Sequence, residues 1–380
     1  MFIISKNEFF SKSNSIFLAL CLLFIIIDTG GWSNLRFVGL SGVLMFFIYS
    51  LKSQNLKNKK AHFVIAMLLF VSVLPGLIYP SSENQIFQLG VSQTLPVFLY
   101  PVLLMLININ RDTYQYVVST LTRIFALVIL LFFFSRVFDI GPANSFAAVL
   151  DAKREAGFFD FKSNLLGQYL PVVYFKATLL LVPLGLYCYI TKFKLSFYLA
   201  LAALFVAPSR TGFLVLLLFY IFINFVEFKV FLKFILISIS VYCIYLVSQF
   251  IALESFLMGF HVRLEHLLSL SNLSINYENL LLGQGAGTFF YSTGFKEMTD
   301  GVELSQLEYI RRYGLISFLV LCFAWAAAGY TNREWRLPIV AFWITALSNP
   351  VLAVFFSFTL LAIINSKSKS QVVINGLSKH

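Results

Sequence analysis

Residues 195–226 read LSFYLALAALFVAPSRTGFLVLLLFYIFINFV. Two apolar runs, Leu195–Ala207 and Phe213–Val226, flank the polar break Pro208-Ser209-Arg210-Thr211-Gly212. Each run has the composition of a membrane-spanning helix, although a full span needs about 20 residues and must include flanking ones. A cation between two hydrocarbon segments is costly unless it faces water or a partner. Arg210 is therefore a candidate functional residue.

The rest of the chain has the same character. Of its 380 residues 59% are hydrophobic and 12% are charged, and the mean hydropathy is +0.85, whereas soluble domains have about 25% charged residues. We predict an all-α polytopic integral membrane protein, one membrane domain over residues 1–380 with about twelve transmembrane helices and no cleavable signal. The predicted span cores are Ile16–Ile27, Phe37–Leu51, His62–Tyr79, Pro96–Ile109, Val117–Val137, Tyr174–Ile190, Leu195–Ala207, Phe213–Val226, Phe231–Ile251, Tyr313–Tyr330, Leu337–Leu347 and Val351–Ile364.

Basic residues in the short loops predict the orientation, because such loops stay in the cytoplasm. With the N-terminus inside, every second loop carries lysine or arginine, and the intervening short loops carry mainly Arg36 and Arg210. Both termini are then cytoplasmic. This asymmetry accounts for most of the net charge of +11, so no nucleic-acid partner is expected. The basic loop residues are Lys6, Lys12, Lys52, Lys57, Lys59, Lys60, Arg111, Lys192, Lys194, Lys229, Lys233, Arg333, Arg336, Lys367 and Lys369.

Two long polar segments, 138–173 and 252–312, are predicted to lie outside the cytoplasm. Together with Arg210 and Lys176 they place many cations at the outer membrane surface. Arginine matches phosphate oxygens with a rigid fork of donors, so a phosphate-bearing lipid fits such a surface. The alternative interpretation is solvated loop charge with local pairing. The cations of the two segments are Lys153, Arg154, Lys162, Arg263, Lys296, Arg311 and Arg312.

Local pairing is most evident at Glu308 and Arg312, which are four residues apart with the glutamate first. This spacing predicts an ion pair that supports a helix by about 0.2–0.5 kcal/mol. Arg210 has no carboxylate nearby in the sequence, and Arg263 has only Glu265.

A glycine-rich run, Gly283-Gln284-Gly285-Ala286-Gly287, follows three leucines. Its spacing is not that of a dinucleotide-binding loop, and no strand–helix–strand pattern surrounds it. A tight turn that re-enters the membrane face is the better interpretation. The four cysteines (Cys21, Cys188, Cys243 and Cys322) lie in separate predicted spans without metal-type spacing, and we expect them to be packing residues.

Three of these features occur in a recognisable order. Ser209-Arg210-Thr211-Gly212 comes first, Arg263 ahead of 281–285 (LLGQG) follows, and Glu303 to Gly314 comes last. In this order the chain resembles the superfamily of O-antigen polymerases and O-antigen ligases over roughly residues 195–330. The resemblance implies a GT-C-like membrane glycosyltransferase in the bacterial inner membrane, with its active site facing the periplasm.

The family resemblance also implies roles for particular residues. The donor is a glycan on undecaprenyl pyrophosphate, transfer needs no metal and no cofactor, and Arg210 and Arg263 bind the pyrophosphate as it leaves. Ligases of the family carry a histidine, then Asn, Ser or Gln, nine further residues and a glycine. Counting back from Gly314 puts Glu303 at the histidine position, so Glu303 is the expected general base. The missing histidine, and Ser317 downstream, favour the polymerase branch.

Further expectations complete this hypothesis. Substrate-binding candidates beside the catalytic set (Glu303, Arg210 and Arg263) are Arg311, Arg312, Lys176, Arg154 and Glu308. The expected partners are undecaprenyl-diphosphate-linked oligosaccharides, the lipid bilayer, a chain-length regulator and a flippase. Two alternatives stay open: an O-antigen ligase, and a flippase or transporter of lipid-linked oligosaccharide. A transporter more usually has charges at mid-membrane and inverted repeats, whereas these predicted spans are nearly free of charge.

Overall fold

The computed structural model describes residues 6–27, 35–50, 60–78, 86–107, 109, 111–141, 160–163, 169–172, 176–207, 210–227, 261, 264–265, 268, 277–293, 296–299, 301, 304–347, 349, 351–352 and 354–366. All structural statements below refer to these residues. For some of them, including 111–112, 176 and 210, only the backbone is described.

Helices make up most of the described chain. In chain order they are α1 Lys6–Ile27, α2 Leu35–Ser50, α3 Lys60–Ile78, α4 Phe87–Leu106, α5 Arg111–Val137, α6 Leu181–Ile190, α7 Lys194–Val206, α8 Arg210–Glu227, α9 Tyr277–Leu282, α10 Ser305–Thr331, α11 Arg336–Ala346 and α12 Phe355–Asn365. Short 3-10 helices cover Lys176–Leu180 and Arg333–Trp335.

Four of the described helices are long and apolar enough to cross a membrane, which indicates a membrane protein. They are Lys60–Ile78, Phe87–Leu106, Thr113–Ser135 and Ser305–Thr331. In six further helices the apolar stretch with described side chains is shorter, at 10–17 residues. The all-α membrane class is thus supported, while the count of about twelve spans is not confirmed. The predicted span Phe231–Ile251 lies outside the described residues.

The centre of the fold is α12, whose eleven residues are all buried. A helix that is apolar on every side, as this one is, has no face suited to water or to a polar surface, and it packs inside the protein. Helices α1, α4 and α10 surround it. Its C-terminal end is anchored by polar contacts: the Tyr114 hydroxyl donates to the carbonyl of Ile363, and the Asn332 amide donates to that of Ile364.

Helices α3 and α10 pack side by side in opposite directions. The Ser72 hydroxyl contacts that of Ser317 at 3.1 Å, and one turn later in α3 Gly76 lies against Tyr313, one turn earlier in α10. Helix α4 packs against α3, with the Phe70 and Phe98 rings 4.9 Å apart. The C-terminal end of α3 therefore lies beside the N-terminal part of α10.

The opposite end of this bundle collects basic residues. Lys60 begins α3 there, and Arg333 follows α10. Trp335, two residues after Arg333, stacks on Tyr187 of α6 with the ring centres 4.4 Å apart, which brings the turn with Lys192 to the same end. Loops that the charge rule predicts to share one side of the membrane thus lie at one end of the molecule. The absolute orientation stays a prediction.

Two small antiparallel hairpins interrupt the helical pattern. Strands β1 Asp160–Ser163 and β2 Tyr169–Val172 form one, and β3 Phe290–Ser292 and β4 Glu297–Thr299 form the other. Both belong to the segments predicted to lie outside, 138–173 and 252–312. The second segment ends inside a helix, since α10 begins at Ser305 and not at the predicted Tyr313.

Candidate functional site

Three charged side chains at the start of α10 form a compact cluster. Arg311 makes a two-pronged contact with Glu308, through Nη2 to Oε1 at 2.7 Å and through Nε to Oε2 at 3.0 Å. Arg312 donates from its Nε to the same Oε1. Both carboxylate oxygens of Glu308 therefore accept from guanidinium groups, which favours the ionised form of the carboxylate.

Burial distinguishes this cluster from ordinary surface charge. The side chains of Glu308 and Arg311 are 4% and 3% exposed, and that of Arg312 is 13% exposed. Among the described side chains of Asp, Glu, Lys and Arg, only Glu308 and Arg311 are buried. The predicted pairing of Glu308 with Arg312 is present, but its environment is not the solvated helix surface expected from the sequence. Breaking a buried pair costs about 3–5 kcal/mol, far more than a surface pair contributes.

Arg311 connects α10 to the segment that follows the glycine run. Its Nη1 donates to the Thr288 hydroxyl at 2.8 Å and lies 3.3 Å from the Thr288 carbonyl. The guanidinium carbon lies 4.8 Å from the centre of the Phe290 ring, in β3. Arg311 is thereby held by an anion, a hydroxyl and an aromatic face at once.

The glycine run forms a tight turn, as predicted. Gly283, Gly285 and Gly287 have φ values of +90°, +112° and +76°, a region that residues with a Cβ rarely adopt. Space also requires glycine at both ends, because a Cβ at Gly283 would lie 2.5 Å from the Arg312 carbonyl oxygen and one at Gly287 would lie 2.5 Å from the Ile86 carbonyl oxygen. We call residues 283–288 the glycine loop.

The glycine loop is hydrogen-bonded to α3, α4 and α10 through backbone groups and the side chain of Gln93. Each of the three helices contributes at least one partner, so the loop is fixed on every side and is part of the helical bundle. The bonds run from Gln284 N to Arg311 O at 2.7 Å, from Ala286 N to Gly76 O at 2.7 Å, from Ile86 N to Gly287 O at 3.0 Å and from Gly287 N to Gln93 Oε1 at 2.9 Å.

Helix α10 is broken where the loop meets it. Gly314 has φ +81° and ψ 168° inside an otherwise helical stretch, and its Cα approaches the backbone of Leu281 and Leu282 so closely that a Cβ would lie 2.1 Å from the Leu281 carbonyl oxygen. Irregular backbone inside a membrane protein is tolerated where other protein groups surround it. The break falls one residue after Tyr313, where the sequence predicted the span to begin.

Helix geometry gives the depth of this site. At a rise of about 1.5 Å per residue, Gly314 lies about 26 Å from Thr331 along α10, and Arg311 and Arg312 lie beyond Gly314, on the far side of the break. The same arithmetic gives about 24 Å from Lys60 to Gly76 in α3. Membrane hydrocarbon is about 30 Å thick. If the basic end marks one boundary of the hydrocarbon, the charged cluster lies at the other boundary.

The remaining predicted site residues are only partly described. Arg210 is the first residue of α8 and Lys176 the first residue of the 3-10 helix, and their side chains are not among the described ones. Arg154, Arg263 and Glu303 lie outside the described residues. Gly301, two residues before Glu303, lies against the cluster: a Cβ there would be 3.3 Å from Arg312 Nη2 and 3.7 Å from Glu308 Oε1.

The structure also brings in residues that sequence reasoning missed. Thr288 and Phe290 contact Arg311, but a threonine and a phenylalanine in a polar segment carry no signal of such a role. Arg123 is a cation inside α5 whose Nη2 lies 3.4 Å from the Ser196 hydroxyl, while its buried Nε has no hydrogen-bond partner among the described residues. The sequence did contain a signal for Arg123, because a cation within a predicted span, here Val117–Val137, is a candidate functional residue.

No protein-family model matches the chain, and no curated protein matches its sequence. Fold and site together define an α-helical membrane protein with a buried glutamate–arginine cluster near the N-terminal end of α10, one of the described helices long and apolar enough to cross a membrane. Among the described residues no group of three or more histidine, cysteine, aspartate or glutamate side chains is placed to hold a metal ion.

Proposed function

We propose that the protein polymerises lipid-linked oligosaccharide repeat units at the periplasmic face of the bacterial inner membrane. The observation that supports this function best is the charged cluster of Glu308, Arg311 and Arg312 at the expected hydrocarbon boundary. A diphosphate between a membrane-embedded lipid and a water-soluble glycan lies at that same depth. The order of the motifs around Arg210, Arg263 and Glu303 supports the same reaction class.

The proposed reaction is one displacement at the anomeric carbon of the donor. A sugar hydroxyl of one lipid-linked unit attacks that carbon on the chain linked to undecaprenyl diphosphate. The new glycosidic C–O bond forms as the C–O bond to the diphosphate breaks, and the electron pair leaves with the diphosphate. The hydroxyl proton passes to a general base. No nucleotide takes part, because the bond that breaks already carries the activated leaving group.

The residues divide this work by charge. Arg210 and Arg263 bind the diphosphate oxygens and stabilise the charge that develops as it leaves, a task that fixed cations perform without proton exchange. Arg312, the most exposed member of the cluster, is a further candidate for that contact. Glu308 is poorly suited to accept a proton, because both of its oxygens already bind guanidinium groups. Glu303 is left as the proposed base, and a positioned base contributes typically 10²–10⁴-fold.

The test is chain extension by the purified protein supplied with lipid-linked repeat units and no nucleotide. We expect extension by the wild-type chain and its loss in Arg210→Ala and Arg263→Ala. Arg210→Lys should also be severely impaired, because lysine keeps the charge but loses the two-pronged fork. Arg333→Ala, an exposed arginine at the opposite end of α10, is the matched control and should extend chains normally.

Glu303→Gln separates a catalytic base from a helix-supporting carboxylate. If Glu303 is the base, the variant binds lipid-linked substrate but does not extend it. Near-normal extension would remove Glu303 from the mechanism. Full-length polymer from Arg210→Ala and Arg263→Ala at normal abundance would contradict the diphosphate assignment, and absence of extension by the wild-type protein would contradict the proposed function.

A further inference from the structure

Helix α9 directs large apolar side chains away from the protein. Tyr277 is 82% exposed, and Leu281, one turn later on the same side of the helix, is 44% exposed. Leu280 and Leu282 are also exposed, and none of the six residues of α9 is buried. Four adjacent exposed apolar side chains on a six-residue helix would be an unfavourable surface in water.

The backbone of α9 is nevertheless fixed deep in the molecule. The carbonyl oxygen of Leu281 lies against Gly314, and Gly283, the first residue after α9, packs on the Arg312 carbonyl. Leu281 therefore shares the depth of Gly314, about 26 Å from Thr331 along α10. If the basic end marks one boundary of a hydrocarbon layer about 30 Å thick, this position is a few Å inside the other boundary.

Helix α4 gives a similar depth for Gly287, at the other end of the glycine loop. Gly287 packs on Gly90 of α4, which lies about 24 Å from Leu106 at the far end of that helix. Ile86 and Phe87, which begin α4 beside Gly287, are exposed apolar residues as well. Exposed apolar side chains thus stand on both sides of the loop at the level where the surroundings are lipid.

We propose that α9 is a membrane-embedded segment whose exposed face, Tyr277, Leu280 and Leu281, contacts the hydrocarbon chains of bilayer lipids directly beside the charged cluster. Tyrosine at position 277 suits this location, since its ring is apolar and its hydroxyl can reach the lipid headgroups. Glu278 lies about 100° around the helix from Tyr277 and about 60° from Leu281, at the edge of this face. The cluster of Glu308, Arg311 and Arg312 is then separated from lipid by one short helix, and a lipid-linked substrate can approach it sideways from the membrane.

Site-directed spin labelling of the full-length protein in phospholipid vesicles tests this surface. Single cysteines are introduced as Leu281→Cys, Tyr277→Cys and Glu278→Cys in a chain whose native cysteines are replaced, and each is labelled with a nitroxide. Collision rates are measured with oxygen, which concentrates in hydrocarbon, and with a water-soluble nickel chelate. We expect oxygen to dominate at 281 and 277.

The matched control is Glu278→Cys, because it lies on the same short helix and experiences the same local backbone motion. A fourth label at Glu297→Cys in β4, an exposed polar position, gives the fully aqueous value. Dominance of the nickel chelate at 281 and 277 would show that water covers the face and would overturn the proposal. Low rates with both reagents would show that protein covers it and would equally overturn it. If Leu281→Cys does not fold, Tyr277→Cys decides the outcome alone.

Discussion

Replacing Gly314 by alanine tests the break in α10 most directly. A Cβ at this position would lie 2.1 Å from the carbonyl oxygen of Leu281 and 2.5 Å from its carbonyl carbon, and both atoms belong to backbone that cannot rotate away. The φ of +81° with ψ of 168° is a conformation that only glycine adopts readily. The alanine side chain therefore requires both a strained backbone and a displaced glycine loop.

The expected cost follows from these two terms. Backbone strain of this kind costs about 1–3 kcal/mol, and overpacking of a well-packed region costs about 1–3 kcal/mol more. The sum of about 2–6 kcal/mol is a large fraction of a typical stability of about 5–15 kcal/mol. Gly314→Ala should thus be much less stable than the wild-type protein.

Gly329→Ala on the same helix is the control. There a Cβ would meet its nearest neighbour, Ile339 Cδ1, at an ordinary 3.4 Å, and alanine is favoured over glycine inside a helix by about 0.5–1 kcal/mol. Large membrane proteins often unfold irreversibly, so the measurement is the half-life of each detergent-purified variant at one elevated temperature. We expect Gly314→Ala to lose its fold fastest and Gly329→Ala to match or exceed wild type. Equal half-lives for the two variants would refute the left-handed break at Gly314.

Two further predictions concern the cluster and the orientation. Glu308→Ala should destabilise the protein by about 3–5 kcal/mol, because it leaves Arg311 buried without its carboxylate. The control Glu297→Ala, at an exposed site, should leave the thermal half-life almost unchanged. Similar half-lives for the two variants would contradict a buried cluster. In a chain without native cysteines, an impermeant thiol reagent added to intact cells should label Glu297→Cys and should label Lys192→Cys only after lysis, since basic loops stay in the cytoplasm. The reverse labelling pattern would place the charged cluster on the cytoplasmic side.

Much of the molecule could be predicted from local sequence. The apolar stretches predicted helices, four of which in the described chain are long and apolar enough to cross a membrane, and the predicted span from Tyr313 begins one residue before the break at Gly314. The glycine run was correctly predicted as a tight turn, since three glycines in five residues permit the positive φ values seen there. The spacing of Glu308 and Arg312 correctly predicted their pairing.

The site itself could be predicted only in part. The eight residues before Tyr313 were assigned to an outer segment, with Glu308 and Arg312 paired on a solvated helix, but Ser305–Arg312 belong to α10 and carry a cluster in which Glu308 and Arg311 are buried. Their polarity is compatible with a helix because Arg311 and Glu308 satisfy one another inside the protein. The periodicity of a sequence predicts which residues of a helix face the protein interior. It does not predict which residues from distant parts of the chain contact them in that interior.

By itself, then, the sequence determined the class of the protein and the local geometry of its segments. Hydrophobic length decides which segments enter the membrane, and glycine decides where the chain can turn sharply. Only the tertiary structure decided that Thr288 meets Arg311 of α10, that Gly76 and Gln93 bind the glycine loop, and that Glu308 and Arg311 are buried. These contacts join residues from 23 to more than 200 positions apart, and their energy depends on the packing of four separate segments, which no local pattern encodes.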